Sequence, residues 1–478
     1  MNSTIIKLPD KTIVRRIHMA NPHFIAKLLG IKDTNITFND HITFKTTKGV
    51  TTKILSATLS YPLKACPHCG ILNQSSKDMI KNGSMVSTIK LPNMTFEPLV
   101  LKLKKQRYLC KHCEKTSVVG TSLVDYGCHI SNDIKQLIAL ELGQEQSMDL
   151  IARRYSVSGY TVLRVLKKTG QALEPSYLTL PEHIAIDEFK SVKSVTESMS
   201  CILMDAHKRE IWDILPDRKQ AAIREYFMRF PYETRQNVKT ITMDMYTPYY
   251  DFLQRIFPNA VIIIDRFHLV QLLNRSLNHE RIRIMKLIKA KRPRDYRKLK
   301  QLWKLILKNR DDLNFENYES HRLFDGLVTQ KMMVNYMLSV EERFETVYRL
   351  INNLKADIAL RDYVRFETDL AETRKYRMPK KVRTTFQTLE KYLPAIKNSL
   401  TYTLSNGVVE GTNNKIKNIK RSGYGYRNFQ NLRYRILISQ KLTVKNKTQR
   451  DLLFKEENDR KKQEKEAKQN EKILKKMA

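Results

Sequence analysis

With 86 Lys+Arg against 49 Asp+Glu, this chain of 478 residues carries a formal net charge of +37, far more than solubility requires. A field of that sign attracts polyanions, nucleic acid most simply. No run of about 18 apolar residues is present to span a bilayer, and the residues after Met1 lack the apolar segment of a secretion signal, so a cytoplasmic protein without membrane contact is expected.

Hydrophobic residues make up 41% of the chain, enough for real cores, and the length suits about three domains. Six cysteines are too few for a disulfide framework. Residues 1–125 read as short strands leading into a metal module. Alternation at Asn35-Ile36-Thr37-Phe38 and His41-Ile42-Thr43-Phe44 marks two of the strands. Cys66-Pro67-His68-Cys69 and Cys110-Lys111-His112-Cys113 form two CxxC knuckles separated by 40 residues. Each knuckle offers two thiolates to one tetrahedral ion, and strand-like stretches at 83–91 and 95–109 suit the hairpin of a zinc ribbon. The alternative is redox or incidental pairing. Cys128 reads as a small buried residue rather than a further ligand, and Cys201 as core.

Residues 126–175 switch to helical spacing. One helix is expected over 132–142, a second after a Ser147 cap, and a third carrying Val162, Val165 and Leu166 on its inner face. This is a helix-turn-helix pattern, whose last helix enters the major groove. Its outward residues would be Tyr160, Thr161, Arg164, Lys167 and Lys168, which suit base edges and phosphates. A plain three-helix linker is the alternative.

From 176 to 269 strands return, at 183–187, 200–205 and 210–215. A helix over 219–230, a strand ending at Asp244, a helix over 249–257 and a strand over 260–265 follow. A three-stranded meander and then alternating helix and strand is the order of an RNase H-like sheet. Residues 270–400 are helical and heavily charged, a large insertion before the final part of the sheet domain at 401–444. The last stretch, 445–478, reads as a charged basic tail. The fold class is therefore multidomain α+β: zinc ribbon, helix-turn-helix, and an RNase H-like α/β catalytic domain with a large helical insertion.

Asp187 and Asp244 each end an apolar strand run, and Glu410 follows the turn signal Asn406-Gly407 on a helix. Each acid alone also reads as an ordinary strand-end or helix-surface residue. Together they suit two divalent metals over a phosphodiester, because hard cations take oxygen ligands. Asp265 and His268, at the next strand end, rank as possible accessories. Glu410, Asn414, Lys417 and Arg421 share one helix face, and Tyr424 and Arg427 beyond it suit stacking and phosphate contact at a DNA end.

These residues resemble the DDE transposases of the bacterial ISL3 insertion-sequence family over about 60–440. The resemblance rests on the paired CxxC knuckles, the helix-turn-helix, Ala185-Ile186-Asp187-Glu188, Met243-Asp244-Met245-Tyr246, Ile264-Asp265-Arg266-Phe267-His268, Glu410-Gly411 with Asn413-Asn414-Lys415-Ile416-Lys417, and Gly425-Tyr426-Arg427-Asn428-Phe429. It implies Asp187, Asp244 and Glu410 as catalytic acids holding Mg²⁺ or Mn²⁺, with structural Zn²⁺ at Cys66, Cys69, Cys110 and Cys113. It further implies binding to terminal inverted repeats, strand cleavage and transfer, a homodimer or higher oligomer on DNA, and a place beside the bacterial nucleoid. The alternatives are a zinc and helix-turn-helix regulator, or an RNase H-like nuclease that cuts without joining.

Overall fold

The computed structural model describes residues 4–8, 12–18, 22–75, 77–195, 198–245, 247–402 and 407–442, with backbone alone at 4–8, 12–13, 22–23, 247–248 and 407–410. The expectations for the 445–478 tail and for Asn406 lie outside these residues. The described residues divide into two compact units: those up to 173, with 418–426 and 430–442, form one, and those from 174 to 417, with 427–429, the other.

The first unit begins with β1 (Thr4–Leu8), β2 (Thr12–His18), α1 (Pro22–Leu28), β3 (Ile36–Thr47), β4 (Val50–Leu59), β5 (Met79–Met94), β6 (Glu97–Cys110) and β7 (Thr116–Val118). The sheet order is β1-β2-β3-β4-β6-β5, with β7 on the end of β6. Among the described strands of this sheet, β4 and β6 are the pair that runs in parallel. Leu99, Leu101 and Leu103 face the core while Lys102 and Lys104 face out, the period-two pattern of a half-buried strand. The two short strands expected at 35–38 and 41–44 are one strand, β3, with a register irregularity between Phe38 and Ile42. Four steps on β3 there match two on β4, so two extra residues interrupt the ladder without ending the strand.

Three helices follow, α2 (Asn132–Glu141), α3 (Met148–Arg154) and α4 (Gly159–Ala172). Each starts at a serine. The hydroxyls of Ser131, Ser147 and Ser158 accept the amide protons of Ile134, Leu150 and Thr161, which satisfies donors that a helix start leaves open. Ile134, Ile138, Ile151, Val162 and Leu166 form their shared core.

The second unit opens with β8 (His183–Lys190), β9 (Met199–Asp205), β10 (Glu210–Leu215), α5 (Gln220–Met228), α6 (Tyr232–Gln236), β11 (Thr240–Met243), α7 (Thr247–Ile256), β12 (Val261–Ile264) and α8 (Arg266–Ile288). The five strands lie in the order β10-β9-β8-β11-β12. The first three are antiparallel neighbours, and β8, β11 and β12 run parallel. All four residues of β11 are buried, as a strand covered on both faces must be.

The chain then forms α9 (Pro293–Gln301), α10 (Trp303–Leu307), a two-stranded ribbon of β13 (Glu319–Ser320) and β14 (Leu327–Val328), α11 (Gln330–Leu338), α12 (Glu342–Leu360), α13 (Tyr363–Glu372), α14 (Lys380–Lys391) and α15 (Leu393–Thr401). Leu273 and Leu277 of α8, and Phe344, Ile351 and Leu354 of α12, share one core with Ile264 of β12. Ser399 Oγ of α15 accepts from the Ile264 N–H at 2.9 Å, and Asn398 Nδ2 donates to Ile262 O at 3.0 Å. The open edge of β12 is thereby closed by side chains instead of a sixth strand.

Helix α16 (Gly407–Ser422) leads through a tight turn to α17 (Phe429–Lys441). Tyr434 and Ile438 of α17 complete the core of α2–α4. A Cβ placed on Gly170 would stand 2.2 Å from Tyr434 Cγ, so the close approach requires glycine there. Arg435, almost wholly buried, donates from Nη2 to the carbonyls of Gln144 and Gln146 at 2.7 Å each. Among the described residues no helix is long and apolar enough to cross a membrane.

Candidate active site and zinc cluster

The parallel ladder aligns the three acids, although β8 runs on past Asp187, its expected end, to Lys190 because it stays paired with β9. Ile186 of β8 registers with Met243 of β11, and Met243 with Ile264 of β12. Asp187, Asp244 and Asp265 are the next residue on each, so they form one row across three neighbouring strands spaced about 4.8 Å apart. Asp265 continues the ladder, its N–H donating to Met243 O at 2.9 Å, and then serves as the N-cap residue of α8. His268, in the first turn of α8, brings Nε2 to 2.8 Å from Asp244 Oδ1. Among the described residues, the carboxylate and ring donors of Asp244, Asp265 and His268 lie within 4.8 Å of one another.

Asp187 stands beside this group on β8. Its Oδ1 accepts from the Glu188 N–H at 2.7 Å and its Oδ2 from Asn413 Nδ2 at 2.6 Å. Burial first, and the Asp244 carboxylate second, push the Asp187 carboxyl up to about 6. His268 is pushed up as well: burial opposes its charge, but contact with Asp244 outweighs that. The His268 contact apart, Asp244 Oδ1 is buried without a hydrogen-bond partner. A covered carboxylate oxygen that meets only His268, in a row of acids, suits a hard cation. Glu410 lies on α16 one turn before Asn413; its side chain is outside the described residues.

Asn413 was not singled out from sequence. The signal was its place three residues after Glu410, which puts both on one helix face. Glu188 was also missed. It is held by Arg218 Nη1 at 2.6 Å and by the Tyr249 hydroxyl, which donates to Oε1 at 2.9 Å. This network braces β8 directly after Asp187.

The four knuckle cysteines converge. Cys66 and Cys113 Sγ lie 3.7 Å apart, Cys69 and Cys110 Sγ 3.8 Å, and all four fall within 4.8 Å of one another. Zinc–sulfur bonds of about 2.3 Å at tetrahedral angles put sulfurs roughly 3.8 Å apart, so the cluster fits zinc. The backbone N–H of Cys69 is the main cause that brings the Cys66 thiol down to about 6. Around the knuckles, His112 Nε2 meets Asp78 Oδ1 at 3.1 Å. Cys128, expected to be buried, is exposed and stands outside the cluster; it sits in a surface turn closed by its N–H donating to Asp125 O at 3.0 Å. Cys201 is fully buried.

On α4, Tyr160 is 70% exposed and the Arg164 guanidinium sits over its ring at 5.9 Å. Arg164, Lys167 and Lys168 are exposed. Thr161 corrects the expectation of an outward residue: it is buried, with its hydroxyl 3.1 Å from Ser158 Oγ. Capping draws the side chain back onto the helix start. Asn414, Lys417, Arg421 and Arg427 are exposed, and Tyr424 is 91% exposed.

A sheet edge lined with acids and a thiolate cluster define a class of metal-using, nucleic-acid-processing proteins only loosely. The comparisons are sharper. Residues 184–436, more than half of the chain, match the ISL3 family of DDE transposases, described as transposase. The chain belongs to this transposase family. The transposase for insertion sequence element IS1001 of Bordetella parapertussis is 26% identical over 339 residues, 69% of this chain and 78% of that protein. A protein named ATP-dependent protease from Lactococcus lactis subsp. lactis is 33% identical over 140 residues, but these span only 26% of this chain and 44% of that protein.

Proposed function

We propose that this transposase binds the terminal inverted repeats of an insertion sequence and catalyses divalent-metal-dependent strand cleavage and strand transfer. The observation that carries the reading is the register row of Asp187 and Asp244 at the C-terminal sheet edge, inside the family-matched segment. The order β10-β9-β8-β11-β12 supports an RNase H-like core over 176–269, with 270–400 as its helical insertion and the first turns of α16 returning to it.

Asp187, Asp244 and Glu410 would hold the metal, with Asp265 and His268 as accessory groups. Bound Mg²⁺ or Mn²⁺ would polarise the scissile phosphate and make water, and later a 3′-hydroxyl, a competent nucleophile. Asn413 fixes the Asp187 carboxylate on its Oδ2 side, and His268 orients Asp244. Zinc at Cys66, Cys69, Cys110 and Cys113 would hold the 1–125 module together. Residues 126–175 act as the helix-turn-helix, with Tyr160, Arg164, Lys167 and Lys168 of α4 toward DNA. Asn414, Lys417, Arg421, Tyr424 and Arg427 carry the backbone near the cut end, and the basic 445–478 tail adds non-specific affinity. Two ends must be processed together, so the working form is at least a homodimer on DNA in the cytoplasm, at the nucleoid.

Asp187→Asn should leave binding to an end duplex intact and abolish both cleavage and joining. Mg²⁺-dependent cleavage retained by that variant overturns the assignment, and cleavage by the natural protein without joining reduces it to a nuclease.

A further inference from the structure

The sheet unit has a cavity that the carboxylate row does not use. Helices α5 and α6 and the C-terminal half of α7 enclose about 690 Å³ lined by Arg224, Arg235, Arg255, Met228, Phe252 and Ile256. Helix α7 starts just past the carboxylate end of β11 and runs back toward the start of β12. Phe252, Arg255 and Ile256 therefore lie toward the opposite end of the strands from Asp244.

Three guanidinium groups meet here. Arg235 is only 9% exposed; its Nη1 donates to Ile256 O at 3.1 Å, and its Nε is buried without a hydrogen-bond partner. Arg224 and Arg255 are exposed and have no acidic partner among the described residues. Glu225 also lines the cavity, but it is engaged with Arg229 at 3.0 Å. A guanidinium buried without an anion is unfavourable, and planar guanidinium forks match phosphate oxygens two at a time. Phosphate alone would not need Met228, Phe252 and Ile256, which give the same cavity an apolar lining. A cavity of this size, lined by both guanidinium and apolar side chains, suits a ligand with a flat ring and a phosphate.

We infer that this cavity binds a nucleotide unit, its phosphate on Arg224 and Arg255 and its base against Phe252 and Met228. The unit comes from a DNA strand passing the flank of the sheet or from a free nucleotide. Binding here is independent of chemistry at the carboxylate row.

Photo-cross-linking of the full chain, followed by peptide mapping, tests this with two probes. One is an iodouracil-labelled oligothymidine, the other azidoadenosine triphosphate. Adducts on the peptides of Met228 or Phe252 are expected, from the first probe if the source is a strand and from the second if it is a free nucleotide. Arg224→Ala/Arg255→Ala should lower the adduct yield about tenfold without changing the thermal melt. Asp187→Asn should leave the yield unchanged, which separates this site from the catalytic reading. Adducts on neither peptide from either probe, or a yield insensitive to the double substitution, overturn the inference.

Discussion

Asn413 Nδ2 donates to Asp187 Oδ2 at 2.6 Å across 226 residues of sequence. The bond joins α16 to β8 at the end of the acid row, and it restrains a carboxyl that burial and Asp244 both drive toward protonation. Removing an orienting partner of this kind commonly lowers metal affinity or activity by about 10- to 100-fold. Asn413→Ala should therefore slow end cleavage by roughly that factor while end-duplex affinity stays constant. Cleavage kinetics at several Mg²⁺ concentrations will read it, and an unchanged rate would show that the bond is structural only.

A second prediction concerns pH. Asp357 of α12 has no exposed surface, and neither carboxylate oxygen has a hydrogen-bond partner; Arg365 Nε comes no nearer than 3.4 Å. Burial, followed by repulsion from Asp369, pushes its carboxyl up to about 6. An unfolded Asp titrates near 3.9, so the folded chain binds this proton more tightly. Its contribution to stability is thus greatest in acid, declines as pH rises from about 4 to about 6, and stays low above that. Asp357→Asn should melt higher than the natural protein at about pH 8 and lose this advantage near pH 4. Equal melting shifts at both pH values would contradict the assignment.

The contact between Gly170 and Tyr434 sets a third. Gly170→Ala puts a methyl carbon 2.2 Å from the Tyr434 ring, and such overpacking costs about 1–3 kcal/mol. Denaturant unfolding followed by the far-ultraviolet signal should register the loss. Exposed Gly159, where an added Cβ would meet nothing within 4 Å, is the control and should tolerate alanine.

Metal removal gives a fourth. Small structural zinc modules derive their folding energy from the ion. Cys110→Ser or a strong chelator should release zinc and expose Leu101, Leu103 and Tyr108 to proteolysis while the 176–269 sheet stays protected. Full protection of both regions after complete zinc loss would argue against a structural ion.

The strands that carry the acids were legible because short β-branched or apolar stretches, 184–186, Thr240–Met243 and Val261–Ile264, each run directly into an acid. Helix starts were legible from Ser147, and the cysteine cluster from its spacing. Thr161 was misplaced because helical period assigns a direction to each residue, and a capping hydroxyl can reverse it. Cys128 was misplaced because residue type sets a preference for burial, not a location. Asn413 looked like any polar residue on a basic helix; only tertiary pairing distinguishes it from Asn414, which is exposed. The parallel match of β4 with β6 and the return of α17 to α2–α4 join segments far apart in sequence, and neither leaves a local pattern.

That return of α17 has a consequence for synthesis. A ribosome releases the β1–β7 sheet and its cysteine knuckles early, with every strand partner already made. The core of α2–α4 has to wait for Tyr434 and Ile438, after the whole second unit has been translated. A message cut short before α17 therefore yields a chain whose Ile138, Val162 and Leu166 lack their cover. A truncated product would lack a settled α4, and with it the DNA contact proposed for that helix.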